Sequence, residues 1–122
     1  MSLEANKTLV RRFTQVWNTG DLVALEDLLA RDFVAHHTDS DVMGIDGWKQ
    51  FVMDARRNAD IHCTTNELLA DGDKVAEHWT WRSVDKATSE SVTATGMTIH
   101  RIADGKLQEN WAVGEVANPD KT

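Results

Sequence analysis

Residues 96–115 read GMTIHRIADGKLQENWAVGE, and this stretch decides the C-terminal half of the fold. Two runs of nearly alternating apolar and polar residues flank Asp104-Gly105, a dipeptide that strongly indicates a β-hairpin. The hairpin also carries ionisable residues and a large aromatic, namely His100, Arg101, Glu109, Trp111 and Glu115. Such groups side by side in a half-buried region predict a lined pocket rather than a plain sheet.

The turn decides which hairpin residues share a face. A two-residue loop at Asp104-Gly105 pairs Ala103 with Lys106. A three-residue loop that starts at Ala103 shifts the pairing by one residue and exchanges the faces. We favour the three-residue loop because it gathers the apolar residues on one face, namely Met97, Ile99, Leu107, Trp111 and Val113. We expect that face to point to the core together with Glu109 and Glu115. The opposite face carries Thr98, His100, Gln108 and Asn110.

Length and composition predict one globular domain. The chain has 122 residues, of which 41% are hydrophobic and 27% charged. Its net charge of −7 is spread along the chain and repels a phosphate backbone, so we expect no nucleic-acid partner. No apolar run approaches membrane-spanning length, and the N-terminus lacks the apolar core of a signal peptide. A single cysteine, Cys63, excludes an intrachain disulfide, and we expect a cytoplasmic location without membrane contact.

The first half of the chain has helical spacing. Apolar residues from Leu9 to Trp17 predict an amphipathic helix that stops at Gly20, and Asp21 caps a second helix with a leucine stripe. The predicted elements of this half are helices over about 3–18, 22–29 and 44–58, a short strand over 33–37 and a loop over 38–43.

The second half reads as β-structure. Strands are predicted over 61–70, 74–83, 91–102 and 106–116, separated by turn residues. Three helices followed by hairpin-linked strands predict an α+β domain over residues 1–122, with the helices packed on one face of a strongly curved antiparallel sheet. Residues 118–122 read as a frayed tail.

Several short motifs lie in a fixed order along the chain. They are Phe13…Trp17-Asn18-x-Gly20-Asp21, Leu25-x-x-Leu28-Leu29-x-x-Asp32-Phe33-Val34-x-His36, Gly44-x-x-Gly47, Leu69-x-x-Gly72-Asp73-x-Val75-Ala76 and Gly96-Met97…Arg101-x-x-Asp104-Gly105-Lys106-x-x-Glu109-x-Trp111. In this order and spacing they resemble the SnoaL-like polyketide cyclases of the nuclear transport factor 2-like superfamily.

The resemblance implies a cone-shaped fold, a homodimer, and an apolar pocket for a small hydrophobic molecule. Cyclases of this family close polyketide rings by an intramolecular aldol reaction without metal or organic cofactor, so we expect no cofactor. The family's acid/base carboxylate, four residues past Trp111, corresponds to Glu115, where aspartate is usual. The family's histidine at the pocket mouth corresponds to His36.

The candidate catalytic residues are therefore Glu115, His36, His100 and His78. A carboxylate beside an aromatic in a pocket loses hydration, which raises its pKa and makes it a usable acid or base near neutrality. The candidate substrate-binding residues are Trp17, Trp79, Trp111, Met97 and Glu109, although Glu109 is also a candidate ion-pair partner of Arg101. Glu77 falls in phase with Val75 and Trp79, and a charged residue in that phase must be paired or line a pocket.

No metal site is predicted. His36 and His37 point to opposite faces of a strand, and the other histidines lie on separate strands without ligand spacing. Three functions stay open: an acid/base enzyme on a small hydrophobic carbonyl compound, by aldol-type cyclisation or isomerisation; a non-catalytic ligand-binding or dimerisation module; and an epoxide hydrolase. The hydrolase needs two carboxylates around one water, whereas Glu109 and Glu115 are about 20 Å apart along a regular strand.

Overall fold

The fold is a sheet of six strands with three helices against one face, in the computed structural model that describes residues 2–37 and 39–116. The elements are α1 Leu3–Thr19, a 3-10 turn Leu22–Ala24, α2 Leu25–Leu28, β1 Leu29–His36, β2 Asp41–Met43, α3 Gly44–Asn58, β3 Ala59–Asp71, β4 Lys74–Asp85, β5 Ser91–Ala103 and β6 Lys106–Val116. The predicted frayed tail, residues 118–122, lies outside the described residues. No helix in the described ranges is long and apolar enough to cross a membrane.

Local sequence signals set both ends of α1. Ser2 caps the first turn, because its hydroxyl accepts a hydrogen bond from the Ala5 N–H at 3.0 Å. Gly20 ends the helix with φ of +73° and donates its N–H to the Val16 carbonyl, which confirms the predicted stop.

The chain around residue 40 and the second helix differ from prediction. Asp41–Met43, expected as part of a loop, is a short strand that pairs antiparallel with the end of β1. The second helix is shorter than its leucine stripe predicted, since Leu22–Ala24 form a 3-10 turn and only Leu25–Leu28 are α-helical.

The sheet is mixed rather than purely antiparallel as predicted. Its strand order is β2-β1-β6-β5-β4-β3, and β1 runs parallel to β6. The four strands from β3 to β6 are joined by short turns and must alternate in direction. Strand β1 reaches β6 through a long connection that includes α3, and such a connection permits the parallel direction.

The hairpin turn was predicted wrongly, although the predicted alternation of residues is right. Asp104 and Gly105 have φ of +52° and +75°, and Ala103 pairs with Lys106, so the loop has two residues. Pairing then shifts by one between Ile102–Leu107 and Arg101–Glu109, which leaves Gln108 as a bulge. Beyond the bulge the odd-numbered residues of both strands share one face.

The direction of those two faces is the reverse of the prediction. The helices cover the face that carries Thr98, His100 and Asn110, which we call the inner face, and all three of these side chains are buried. Leu107, which was expected with the other apolar residues, lies before the bulge and is fully buried in the core. Beyond the bulge the apolar side chains point to the opposite, outer face, where Trp111 is 41% and Val113 66% exposed. We define the outer patch as Met97, Ile99, Trp111 and Val113, which are paired across β5 and β6.

The apolar core lies between the helices and one end of the inner face. Phe33 of β1 is fully buried and lies 6.0 Å from the Phe13 ring and 5.9 Å from the Trp48 ring, measured between centroids. Other fully buried members come from both layers: Val10, Leu25, Leu28, Val52, Val75 and Leu107. This end of the molecule is closed by side chains, which leaves the other end for a cavity.

Asn18 fastens the end of α1 to the edge strand β3. Its Nδ2 donates to the Cys63 carbonyl at 2.9 Å, and its Oδ1 accepts the Cys63 N–H at 2.7 Å. The side-chain amide thus takes the place of one residue of a neighbouring strand and covers a sheet edge.

A cluster of charges on the outer face links β1, β2, β5 and β6. His36 Nδ1 lies 3.0 Å from Asp41 Oδ1, and His36 Nε2 lies 2.6 Å from Glu109 Oε2. Arg101 Nη2 donates to Glu109 Oε1 at 3.0 Å, as the ion-pair alternative predicted. The hydrogen bonds with Glu109 and Asp41 raise the pKa of His36, and those with His36 and Arg101 lower the pKa of Glu109.

Replacing Asn18 by Ala should lower the free energy of unfolding by about 1–3 kcal/mol, because it leaves the buried backbone N–H and carbonyl of Cys63 unpaired. Urea denaturation measures the loss. Asn66→Ala is the matched control on β3, since the Asn66 amide bonds only the exposed Thr80 hydroxyl. Equal effects of the two substitutions would contradict the fastening role.

The His36 cluster should stabilise the fold more at acidic than at alkaline pH. A histidine with a raised pKa contributes fully below its unfolded pKa of about 6.5 and loses that contribution as the pH rises through its folded pKa. The difference in unfolding free energy between wild type and His36→Asn should therefore be larger near about pH 6 than near about pH 9. His62→Asn, an exposed histidine on β3, is the control. A difference that stays constant with pH for His36→Asn would contradict the role of this cluster.

Candidate functional site

A cavity of about 270 Å³ opens between the inner face and helices α1 and α3. Aromatic side chains form most of its wall, and a few buried polar groups interrupt it. The aromatic and polar residues of the lining include Trp17, Trp48, Trp79, Glu77, His100 and Asn110.

Three rows of paired residues form the sheet side of the cavity. Across β4, β5 and β6 the rows are Trp79-Gly96-Gly114, Glu77-Thr98-Ala112 and Val75-His100-Asn110. The row at Val75 adjoins the closed core, and the row at Trp79 leads to the open end. The second and third rows bring Glu77, Thr98, His100 and Asn110 together, because paired residues on neighbouring strands share a face.

Glu77 lies at the centre of a buried hydrogen-bond network. Its side chain is almost fully buried, and its Oε2 accepts from the Thr14 hydroxyl at 2.6 Å and from the Thr65 hydroxyl at 2.7 Å. Its Oε1 lies 2.9 Å from His100 Nε2. Burial alone raises the pKa of Glu77, but the hydrogen bond and charge of His100 and the two threonine hydroxyls together lower it below its ordinary value. Glu77 is therefore ionised at neutral pH.

The Glu77 carboxylate fixes the tautomer of His100. An ionised carboxylate can only accept, so His100 Nε2 carries the proton that is shared with Glu77. In the neutral ring, Nδ1 then holds the free lone pair. This Nδ1 atom is buried and has no hydrogen-bond partner among the described residues. A carboxylate that orients an imidazole is the arrangement that prepares a histidine to accept a proton.

Two more buried polar atoms of the lining lack partners. Trp48 Nε1 is a donor and Asn110 Oδ1 belongs to a side-chain amide, and neither is hydrogen-bonded within residues 2–37 and 39–116. Native proteins satisfy nearly all buried polar groups, so several unsatisfied atoms around one cavity call for an explanation. One explanation is a bound molecule whose polar group would form hydrogen bonds with these atoms.

Trp17, Trp48 and His37 build the helix side of the cavity. The Trp17 ring meets Trp48 edge to face at 5.7 Å, and His37 stacks on Trp48 at 6.0 Å. Burial lowers the pKa of His37, so this imidazole is neutral near pH 7. Cys63 also lines the cavity, and burial raises the pKa of its thiol to about 12, which keeps it protonated.

The sequence-derived candidates divide between the two faces. Trp17, Trp79 and His100 line the cavity. The other candidates lie on the outer face: Glu115, His36, His78, Trp111, Met97 and Glu109. Of these, Glu115, Trp111, Met97 and Glu109 were expected on the core side. Glu115 is exposed on the outer face and does not line the cavity. His78 and His100 point to opposite faces.

Strand alternation in the sequence places two further residues, Glu77 and His37, in the cavity lining. Glu77 in phase with Val75 and Trp79 is confirmed as an inward residue, with 2% of its surface exposed. The inward positions of β1 include Phe33 and Ala35, which are buried. His37 directly follows the strand in the same phase and lines the cavity, while His36 points out. Thr98 and Asn110 gave no signal of their own, because polar residues on a strand ordinarily face solvent. Within the described ranges no group of three or more His, Cys, Asp or Glu side chains is placed to hold a metal ion.

Comparison with known proteins supports the cone-shaped fold. No curated protein matches the chain. TsrD from Streptomyces laurentii is 20% identical with a TM-score of 0.83, and the match covers 94% of this chain and 91% of that one. IdmH from Streptomyces antibioticus, a proposed polyketide cyclase, is 22% identical with a TM-score of 0.80, over 90% and 91% of the two chains. An NTF2-like protein from Burkholderia pseudomallei is 18% identical with a TM-score of 0.81, over 94% and 92%.

These structures share the nuclear transport factor 2-like fold, and at such low identity they show the fold alone. The family itself is shown by the sequence, because residues 10–110 match the SnoaL-like domain. That range spans α1 to β6 and includes Glu77, His100 and Asn110. The chain therefore belongs to the SnoaL-like family.

Proposed function

We propose that this protein catalyses cofactor-independent proton transfer on a small, neutral, hydrophobic carbonyl compound, in an aldol-type cyclisation or an isomerisation. The observation that carries this proposal is the buried Glu77–His100 pair: His100 lines an aromatic cavity, and its Nδ1 has no hydrogen-bond partner among the described residues. In this proposal His100 takes the catalytic role that sequence analysis gave to Glu115.

His100 acts as the base in the first step. Its Nδ1 takes a proton from the carbon next to the substrate carbonyl, and the electron pair of that C–H bond moves onto the carbonyl oxygen to form an enolate. The ring becomes an imidazolium, which the Glu77 carboxylate stabilises across the 2.9 Å contact. In an isomerisation the proton returns at another carbon. In an aldol closure the enolate carbon attacks a second carbonyl, and the resulting alkoxide takes the proton.

Trp48 stabilises the enolate oxygen. Its Nε1–H is a donor without a hydrogen-bond partner among the described residues, and Trp48 lines the cavity. Donors held in a water-poor site favour developing negative charge more than donors in water do. Trp17 and Trp79 supply flat apolar walls for the substrate.

The charges of the lining favour a neutral substrate. Glu77 is the only carboxylate of the described cavity lining, burial keeps His37 neutral, and no Lys or Arg takes part. An anionic group would be repelled by this carboxylate and would find no Lys or Arg to pair with. The same single carboxylate counts against the epoxide hydrolase, which needs two around one water, since Glu109 and Glu115 lie on the outer face.

Glu77→Gln tests the proposal. The Gln carbonyl can still accept from Thr14 and Thr65, but its NH2 group donates to His100 Nε2, so the ring proton moves to Nδ1 and the base is lost. NMR measures how fast the methyl protons of 2-acetylnaphthalene exchange with deuterated water. We expect wild type to accelerate the exchange and Glu77→Gln to lower the rate by about a hundredfold or more, with folding and ligand binding retained.

Glu67→Gln, an exposed carboxylate on β3, is the matched control and should exchange like wild type. Wild-type exchange rates in Glu77→Gln would overturn the assigned pair. Binding of the ketone without any acceleration by wild type would favour the non-catalytic ligand-binding module instead.

We also propose that the outer patch joins two copies of this chain. Exposed apolar surface that is contiguous across two strands marks an interaction site, and the patch faces away from the helices. A second copy presents the same patch and covers it by two-fold symmetry. His36, Glu109 and Glu115 would then lie in or beside a subunit interface. We further propose a cytoplasmic location, which the free, buried Cys63 supports.

Val113→Lys should convert the dimer to a monomer, because a lysine on each of two facing patches places unpaired charges in the interface. Light scattering after size-exclusion chromatography measures the mass. Val23→Lys, equally an exposed valine to lysine change but on the 3-10 turn, should leave the dimer intact. A monomeric wild type, or a Val113→Lys protein that remains dimeric, would contradict this interface.

A further inference from the structure

Gly96 and Gly114 leave room for the Trp79 ring. A Cβ atom built on Gly114 would lie 2.7 Å from Trp79 Cη2, and one built on Gly96 would lie 2.4 Å from Trp79 Cζ2 and 2.3 Å from the Val113 carbonyl oxygen. Real side chains do not approach so closely. A residue other than glycine at position 114 therefore displaces the indole, and one at position 96 displaces the indole and the neighbouring strand. Neither glycine requires a left-handed backbone here, since both lie within regular strands. The absent side chains, rather than unusual dihedral angles, are what Trp79 requires.

The Trp79 ring is held over both glycines. Trp79 pairs with Gly96 and Gly96 pairs with Gly114, so the benzo edge of the indole extends across β5 to β6. At its other edge Nε1 donates to the Thr98 hydroxyl at 2.9 Å. A hydrogen bond thus fixes one edge of the ring, and the other edge packs directly on the backbone of β5 and β6. The ring forms part of the sheet side of the cavity.

We propose that Gly96 and Gly114 are specificity-determining positions, which keep the cavity deep enough for a planar ligand of about two fused rings. A side chain at either position would lift the indole off the sheet into the cavity, since the strand backbone blocks movement in the other direction. The ligand class in this inference rests on the proposed function. The contact between the glycines and Trp79 does not.

The cavity volume sets the ligand size. A cavity of about 150 Å³ in a protein interior holds one benzene ring. The volume of about 270 Å³ found here is nearly twice that and fits two fused rings. On the same scale three fused rings exceed this volume.

Gly114→Ala tests the inference. Calorimetric binding is measured for acetophenone, 2-acetylnaphthalene and 2-acetylanthracene, which carry one, two and three rings on the same methyl ketone. We expect wild type to bind the two-ring ketone most tightly and Gly114→Ala to lose about tenfold or more in that affinity while keeping affinity for the one-ring ketone. Gly47→Ala, a helical glycine whose added Cβ makes only an ordinary contact at 3.7 Å, is the matched control and should bind like wild type.

Trp79→Phe separates displacement of the indole from general damage. Phe lacks the outer ring atoms that meet the Gly114 position, so in the Trp79→Phe background Gly114→Ala should cause little further change in two-ring affinity or thermal midpoint. Equal effects of Gly114→Ala in both backgrounds would overturn the inference.

The outcomes distinguish this inference from the proposed function. Two-ring binding with unchanged size preference in Gly114→Ala overturns the specificity role and leaves the Glu77–His100 chemistry standing. Failure of wild type to bind any of the ketones overturns both the ligand class and the size inference built on it. A Gly114→Ala protein that changes size preference while wild type shows no proton exchange supports the inference and overturns the catalytic proposal.

Discussion

The buried Glu77 carboxylate is the constraint on which the rest of this structure depends. An ionised group with 2% exposure costs several kcal/mol in lost hydration unless its neighbours compensate. Here three hydrogen bonds compensate, from Thr14 on α1, Thr65 on β3 and His100 on β5. Each partner comes from a different element, so the carboxylate ties helix and sheet together at the point where the closed core gives way to the cavity. The same carboxylate holds the His100 imidazole in one tautomer.

The sheet has the reverse of the ordinary arrangement in its last hairpin. Polar side chains face the helices and apolar ones face outward, because the inner face at this end borders a cavity rather than a packed core. The inward polar groups are stable where neighbouring side chains satisfy them: His100 Nε2 bonds Glu77, and Thr98 Oγ1 accepts from Trp79 Nε1. The outward apolar groups, Trp111 and Val113 among them, are left for a partner. One strand pair thereby carries both a candidate site and a candidate interface.

Small residues matter in this fold because of what they leave empty. Gly96 and Gly114 leave the space that the Trp79 ring occupies. Ala112 lines the cavity, where a larger side chain would fill it. Trp79 takes part of that space as a wall and leaves the rest open. Asn18, with Cys63 on β3, holds α1 against the sheet edge, so the opposite wall is fixed as well. The cavity is thus bounded by rigid elements, which suits acid/base chemistry because proton transfer depends on close alignment.

The sequence by itself determined the features that depend on near neighbours. The helix stop at Gly20, the position of the turn at Asp104-Gly105 but not its loop length, the four hairpin-linked strands and the inward phase of Glu77 all follow from local conformation and alternation. The order of the motifs also determined the family. Only the tertiary structure decided which face of the hairpin the helices cover, because alternation divides a strand into two faces without saying which one is buried. The bulge at Gln108, the parallel pairing of β1 with β6 and the meeting of His100 with Glu77 likewise depend on contacts between residues far apart in the chain.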